Sequence, residues 1–162
     1  TEAKVAEVLY DDVVQNELSL YPWGFSIQQE QLSRLAATPL DDFTAAYDLP
    51  TDMLMLTKIT VSDETIIYRI NGAQALCDAG ETDDVIAHYV VQPDEFNWPP
   101  YFRTLVEMRL ASEFSAAIAQ KADLAQLHHG RAERQSMKAR HRDAAQHTTR
   151  ALRGRNVLRT RG

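Results

Sequence analysis

Residues 56–77, LTKITVSDETIIYRINGAQALC, decide the fold. Leu56 to Val61 is β-branched and alternating, Ser62-Asp63-Glu64 turns the chain, and Ile66 to Ile70 returns it. Asn71-Gly72 is then a strong two-residue hairpin signal, because both residues tolerate positive φ, and Ala73 to Cys77 follows as a further strand. Beyond a polar loop, Asp78 to Asp84, the run Val85 to Val91 supplies one more strand and ends at Pro93. The pattern predicts a small antiparallel β insertion of about three to five strands over roughly residues 53–92.

Helical signals flank this unit. Thr1 to Leu20 reads as a helix, with Thr1 able to cap and Glu2 near the positive end of the dipole. Val5, Val8, Leu9, Val13 and Leu18 recur along it at helical spacing. Pro22 and Gly24, within Tyr21-Pro22-Trp23-Gly24-Phe25, stop it. Phe25 to Leu35 fits strand or helix, since Ile27, Leu32 and Leu35 do not discriminate. Ala36 to Asp42 is a loop around Pro39, and Phe43 to Tyr47 leads into the turn Asp48-Leu49-Pro50-Thr51-Asp52. Pro22, Trp23, Pro50 and Asp52 are the expected architectural residues: Pro50 sets the turn into the first strand, and Trp23 packs where the first helix leaves the core.

Pro99-Pro100 opens a second helix, 99–119, in which Phe102, Val106, Leu110, Phe114 and Ile118 form a stripe broad enough to predict deep burial. A third helix, 121–146, carries large apolar residues at Leu124, Leu127 and Met137, so its first half is expected to pack on the body. The layout is α+β: a helical bundle (helices 1–20, 99–119 and 121–146) with the β insertion, one domain over 1–146, and an extended basic C-terminal arm over 147–162.

Charge divides the chain in the same place. Through Gln120 there are 6 Lys and Arg against 20 Asp and Glu, whereas Lys121 to Gly162 holds 11 against 3. No acid follows Asp143. Alone, the arm lacks the apolar content to offset its ordering entropy, so it is expected to be disordered until it meets a partner. Arg150, Arg153, Arg155, Arg159 and Arg161 could neutralise phosphates. Leu152, Val157 and Leu158 interleave with them and favour a groove on another protein, because a purely electrostatic arm needs no large aliphatics. No aromatic is present there for base stacking.

The single cysteine, Cys77, excludes an internal disulfide, suits a reducing compartment and is expected to be a small buried residue. No apolar stretch is long enough to span a membrane, and the acidic N-terminus is not a signal peptide, so an intracellular product is expected. Nucleotide-loop, metalloprotease and nucleophile-elbow motifs are lacking. The pairs Asp11-Asp12, Asp41-Asp42 and Asp83-Asp84 read as solvated carboxylates. His128, His129, His141 and His147 are irregularly spaced on a polar helix, with no cysteine near for zinc. No enzyme, cofactor or metal is expected.

Three passages in order resemble the bacteriophage head–tail adaptor family, the tail tubular protein A-like or gatekeeper connectors that also occur in gene transfer agents. Tyr21-Pro22-Trp23-Gly24-Phe25 is similar to the family's hPWxFA junction, with Gly24 where Asn or Ser is usual. Tyr47-Asp48-Leu49-Pro50-Thr51-Asp52-Met53-Leu54-Met55-Leu56 looks like its strand entry. Tyr68 to Gly72, Ile86 to Val90 and Phe96 to Phe114 resemble the run that closes these domains. The resemblance covers roughly Val5 to Met137, and the Arg/His-rich tail is not part of the common pattern. It implies a virion structural protein: a ring, usually a dodecamer, assembled in the host cytoplasm beneath the portal protein. The C-terminal segment would reach the portal, the β side would face the next tail or nozzle protein, and DNA would pass through without specific binding. The alternative from another class is a small nucleic-acid-binding module that uses the Arg-rich arm.

Overall fold

The computed structural model describes residues 2–40, 42–117 and 120–147. Among them are three α-helices and two antiparallel sheets, in the order α1 (Glu2–Ser19), β1 (Ile27–Gln31), β2 (Ala45–Asp48), β3 (Met55–Val61), β4 (Glu64–Ile66), β5 (Tyr68–Asn71), β6 (Gln74–Cys77), β7 (Val85–Val90), α2 (Pro100–Ala117) and α3 (Ala122–Ala144).

The hairpins follow from their turns. Ser62 (φ 50°) and Asp63 (φ 66°) both take positive φ between the paired residues Val61 and Glu64, the backbone of a two-residue turn that matches strand twist. In the β5–β6 hairpin Asn71 pairs with Gln74, so the loop residues are Gly72 and Ala73 rather than Asn71-Gly72. Only Gly72 (φ 61°) takes positive φ there, and glycine at the first loop position suits the turn that needs it once. Ile67 breaks the expected 66–70 strand into β4 and β5, which belong to different sheets.

The β structure is larger than its sequence signal. Seven strands form sheets of order β1-β7-β3-β4 and β2-β6-β5, beginning at Ile27 rather than near residue 53. In β1 only Ile27 is apolar; the strand is an exposed edge that needs pairing to β7 and little burial. In β2 the small Ala45 and Ala46 are buried beside Tyr47, a run too short to show a period.

The one domain expected over 1–146 holds two hydrophobic clusters. Ala45, Tyr47, Leu56, Ile59, Ala75, Cys77, Val85, Ala87 and Tyr89 join both sheets in one cluster. Val14, Leu18, Trp23, Val90, Trp98, Phe102, Leu105, Val106 and Ala139 form the other around the helices. Strand β7 links them, because successive side chains alternate faces: Tyr89 and Val91 enter the sheet cluster and Val90 enters the helical one.

The helices bury only part of what their aliphatic spacing indicated: Leu18, Phe102 and Val106 are buried as expected. In α1, Val5 and Val8 are exposed, while Val14, Glu17 and Leu18 are buried. In α2 the stripe is deep only at Phe102 and Val106; Leu110 and Phe114 are half-buried, Ser112 and Ser115 are buried, and Ile118 lies outside the described residues. In α3, Leu124, Leu127 and Met137 are exposed, and Ala132, Ser136, Ala139 and Asp143 form the inner face. Small side chains let α3 approach α2 closely, and the Ser112 hydroxyl donates across the gap to the Ala125 carbonyl at 3.1 Å.

Trp23 holds the helical cluster, as its sequence position suggested. It is 0 % exposed, its Nε1–H donates to the Glu17 carbonyl at 2.9 Å, and its ring meets those of Tyr21 at 4.8 Å and Phe102 at 5.1 Å. Trp23→Ala is expected to lower stability by about 3–5 kcal/mol. Chemical denaturation of the variant checks this, and a midpoint equal to the parent's contradicts the packing described.

Candidate functional site

Asp143, the last acidic residue of the sequence, lies in the final turn of α3 and is 2 % exposed. A carboxylate in that position is tolerable only with donors around it. Its two oxygens accept the Gly24 N–H at 3.2 and 3.0 Å, and Oδ1 also accepts the Tyr101 hydroxyl at 2.8 Å. His147 Nε2 lies 3.9 Å from Oδ2 on the exposed side. One carboxylate therefore ties the end of α3 to the junction after α1 and to the first turn of α2. Arg140 adds to the fastening by placing its guanidinium 5.6 Å from the Tyr21 ring.

Gly24 belongs to this cluster for a steric reason. A Cβ there would stand 2.6 Å from His147 Nε2 and 2.8 Å from Cε1. The one position of the Tyr21–Phe25 passage that departs from the adaptor pattern thus faces the imidazole that closes α3. Because that imidazole is the exposed end of a side chain, a small residue at 24 displaces the ring rather than the backbone.

A second polar cluster crosses all three helices. Arg109 of α2 donates from Nε to Oε1 of the buried Glu17 of α1 at 2.6 Å, and from Nη2 to Oε1 of the exposed Glu133 of α3 at 2.7 Å. Burial works against the Arg109 charge, but the bond to Glu133 and the charge of Glu17 outweigh it and raise its pKa. The hydrogen bond from Arg109 holds the Glu133 carboxyl below its ordinary range. A partly buried charge trio of this kind, with only Glu17 fully covered, fixes the relative placement of helices more than it adds net stability.

Of the expected architectural residues, Trp23 is buried, Pro50 is half-buried with its carbonyl accepting the Met53 N–H at 3.3 Å, and Pro22 and Asp52 are exposed. Pro50 leads into β3, which is the third strand and not the first. Asp52 stands on the wall of a polar groove of about 540 Å³ with Gln15, Gln28 and Asp94. Thr1, Asp41 and the arm residues Arg150, Leu152, Arg153, Arg155, Val157, Leu158, Arg159 and Arg161 lie outside the described residues. Cys77 is buried, and burial followed by the Asp78 charge pushes its thiol pKa up, so the thiol stays protonated. His88, half-buried 3.1 Å from Thr60 Oγ1, has its pKa lowered by burial and then by the Lys58 charge. Among the described residues no group of three or more His, Cys, Asp or Glu could hold a metal ion, and no helix is long and apolar enough to cross a membrane.

Sequence reasoning missed Asp143, Glu17 and Arg109. The available signal was Asp143 itself, an isolated acid in a basic helix, and Glu17, an acid inside an apolar stripe. No family model matches this chain, and no curated protein matches it.

Asp143→Ala leaves the Gly24 N–H and the Tyr101 hydroxyl without their acceptor, and is expected to destabilise the fold by about 1–3 kcal/mol. Burial, then the bond to Asp143, raises the pKa of Tyr101. Its contribution is therefore complete below the unfolded value of about 10 and is lost as pH climbs towards the folded value. Urea titrations across that alkaline range should show a shallower loss in Tyr101→Phe than in the parent. Equal slopes would place the ionisation elsewhere.

Proposed function

We propose that the chain is a virion structural protein, the repeating subunit of a ring that joins a bacteriophage portal to its tail or nozzle protein. One observation carries this reading. The Tyr21–Phe25 passage, the first of the three on which the family resemblance rests, is the hub of the helical half, where Trp23 fills the core and Gly24 binds the end of the last helix. Sequence likeness and structural centre coincide.

In this reading α1, α2 and α3 are the bundle of an adaptor, the sheets are its insertion, and residues 147–162 are a basic arm. The arm continues from His147, beside Gly24, so its root is fixed by the Asp143 contacts. Arg150, Arg153, Arg155, Arg159 and Arg161 meet acidic or carbonyl-rich portal surface, and Leu152, Val157 and Leu158 enter small apolar pockets. Binding and spacing are the whole activity; no bond is made or broken. The acidity of the body, 20 acids against 6 bases through Gln120, suits a conduit that repels phosphates and lets DNA pass. The ring, of about a dozen copies as the resemblance implies, assembles on the portal in the host cytoplasm and remains at the portal–tail junction of the virion.

The portal protein encoded in the same genome provides the test. Deleting 147–162 should abolish its co-purification with this chain. Changing Leu152, Val157 and Leu158 together to Ser should impair portal binding and leave any DNA binding nearly unchanged. A silent triple change contradicts the reading if DNA affinity also falls with salt at roughly 0.9 log units per neutralised phosphate. The arm would then be a nucleic-acid element.

A further inference from the structure

Two helix faces remain uncovered, and they differ in charge. On α1, Val5 is 48 % and Val8 59 % exposed, and Asp11 and Asp12 are exposed beside them. At about 100° per residue these four share roughly one third of the helix circumference. On α3, Leu127 is 48 % and Met137 67 % exposed, and Arg131, Arg134 and Lys138 are exposed among them. Those five also fall within about a third of the circumference. No ion pair involves Asp11, Asp12, Arg131, Arg134 or Lys138 among the described residues.

Both faces pair large aliphatics with a net charge, acidic on α1 where Asp11 and Asp12 outweigh Lys4 and basic on α3 where Arg131, Arg134 and Lys138 outweigh Asp123, the composition of an interface and not of a solvated surface. They cannot meet within one chain. Helix α2 packs between α1 and α3, as the Glu17–Arg109–Glu133 chain of contacts shows, and the exposed face of α3 lies opposite that helix's buried residues. We propose that they are the two halves of one interface between copies: the Val5/Val8/Asp11/Asp12 face of α1 docks on the Leu127/Arg131/Arg134/Met137/Lys138 face of α3 of the next copy.

Such a contact is heterologous, since the patch given differs from the patch received, and repetition yields a closed ring or an open filament. The aliphatics supply burial, and the opposed charges set register and steer encounter. A second copy is the favoured occupant over nucleic acid because the basic face carries Leu127 and Met137, and because its acidic, aliphatic counterpart is on the same molecule. The interface deepens the ring reading, but it is tested on the isolated chain, so its failure leaves portal binding a separate question.

The experiment is a charge swap read by sedimentation velocity, with circular dichroism to verify folding. The parent should sediment faster as concentration rises, and less so in high salt. The α1 variant Asp11→Lys/Asp12→Lys and the α3 variant Arg131→Glu/Arg134→Glu/Lys138→Glu should each self-associate about tenfold more weakly or worse. Mixing those two variants, or combining all five substitutions in one chain, should restore association, because attraction returns in both cases. A parent that stays monomeric to its solubility limit overturns the proposal. So do single-face variants that associate like the parent, or a mixture that does not recover. If loss of the α3 charges instead removes affinity for a DNA duplex, the face serves nucleic acid.

Discussion

Burying Trp23 is the constraint on which the helical half depends. An indole taken out of water contributes a large apolar surface but leaves one N–H to be met, and the Glu17 carbonyl at 2.9 Å meets it. That bond fixes where α1 can end. The ring then sets the positions of Tyr21, Phe25, Tyr101 and Phe102 around it, which places the start of α2. The next residue, Gly24, turns its N–H to Asp143 and so positions the end of α3. Three helix ends are determined by two adjacent residues, and β7 carries the same core into the sheets through Val90.

Charge is arranged around that frame with a consistent economy. The charges taken into the interior, Glu17, Asp143 and the partly covered Arg109, are hydrogen-bonded across elements, where they lock relative placement. The charges left outside are unevenly shared, mostly acids on α1 and mostly bases on α3. A monomer gains nothing from that imbalance and loses some stability to like-charge repulsion; an assembly gains register from it. The same logic extends to the proposed arm, whose arginines have no acid after Asp143 to answer them.

Legibility from sequence tracked how strongly backbone chemistry was written into residue type. The β3–β7 region was readable because alternating β-branched runs were separated by residues that accept positive φ, Ser62-Asp63 and Gly72. Strands β1 and β2 were not, since Gln28, Gln29 and Gln31 have little strand preference and Ala45-Ala46 gives no period; partner strands impose their conformation. Trp23 was legible as a junction residue because a large aromatic beside Pro22 has few other uses. The burial of the helices was misread for one reason. Aliphatic spacing was taken to mark the inner face, whereas α3 packs through Ala132, Ser136 and Ala139 and turns Leu127 and Met137 outward. Asp143 stood out as an isolated acid, but its partners, Gly24 and Tyr101, are 119 and 42 residues away in sequence and so were not legible.

The central claim is that this chain is a ring subunit seated on a portal. Electron microscopy of the chain co-expressed with the portal protein of the same genome tests it most directly. The account predicts a ring of this chain stacked coaxially on the portal, with helices of neighbouring copies side by side. Portal particles bare of added density, with this chain recovered separately as monomer, would contradict it.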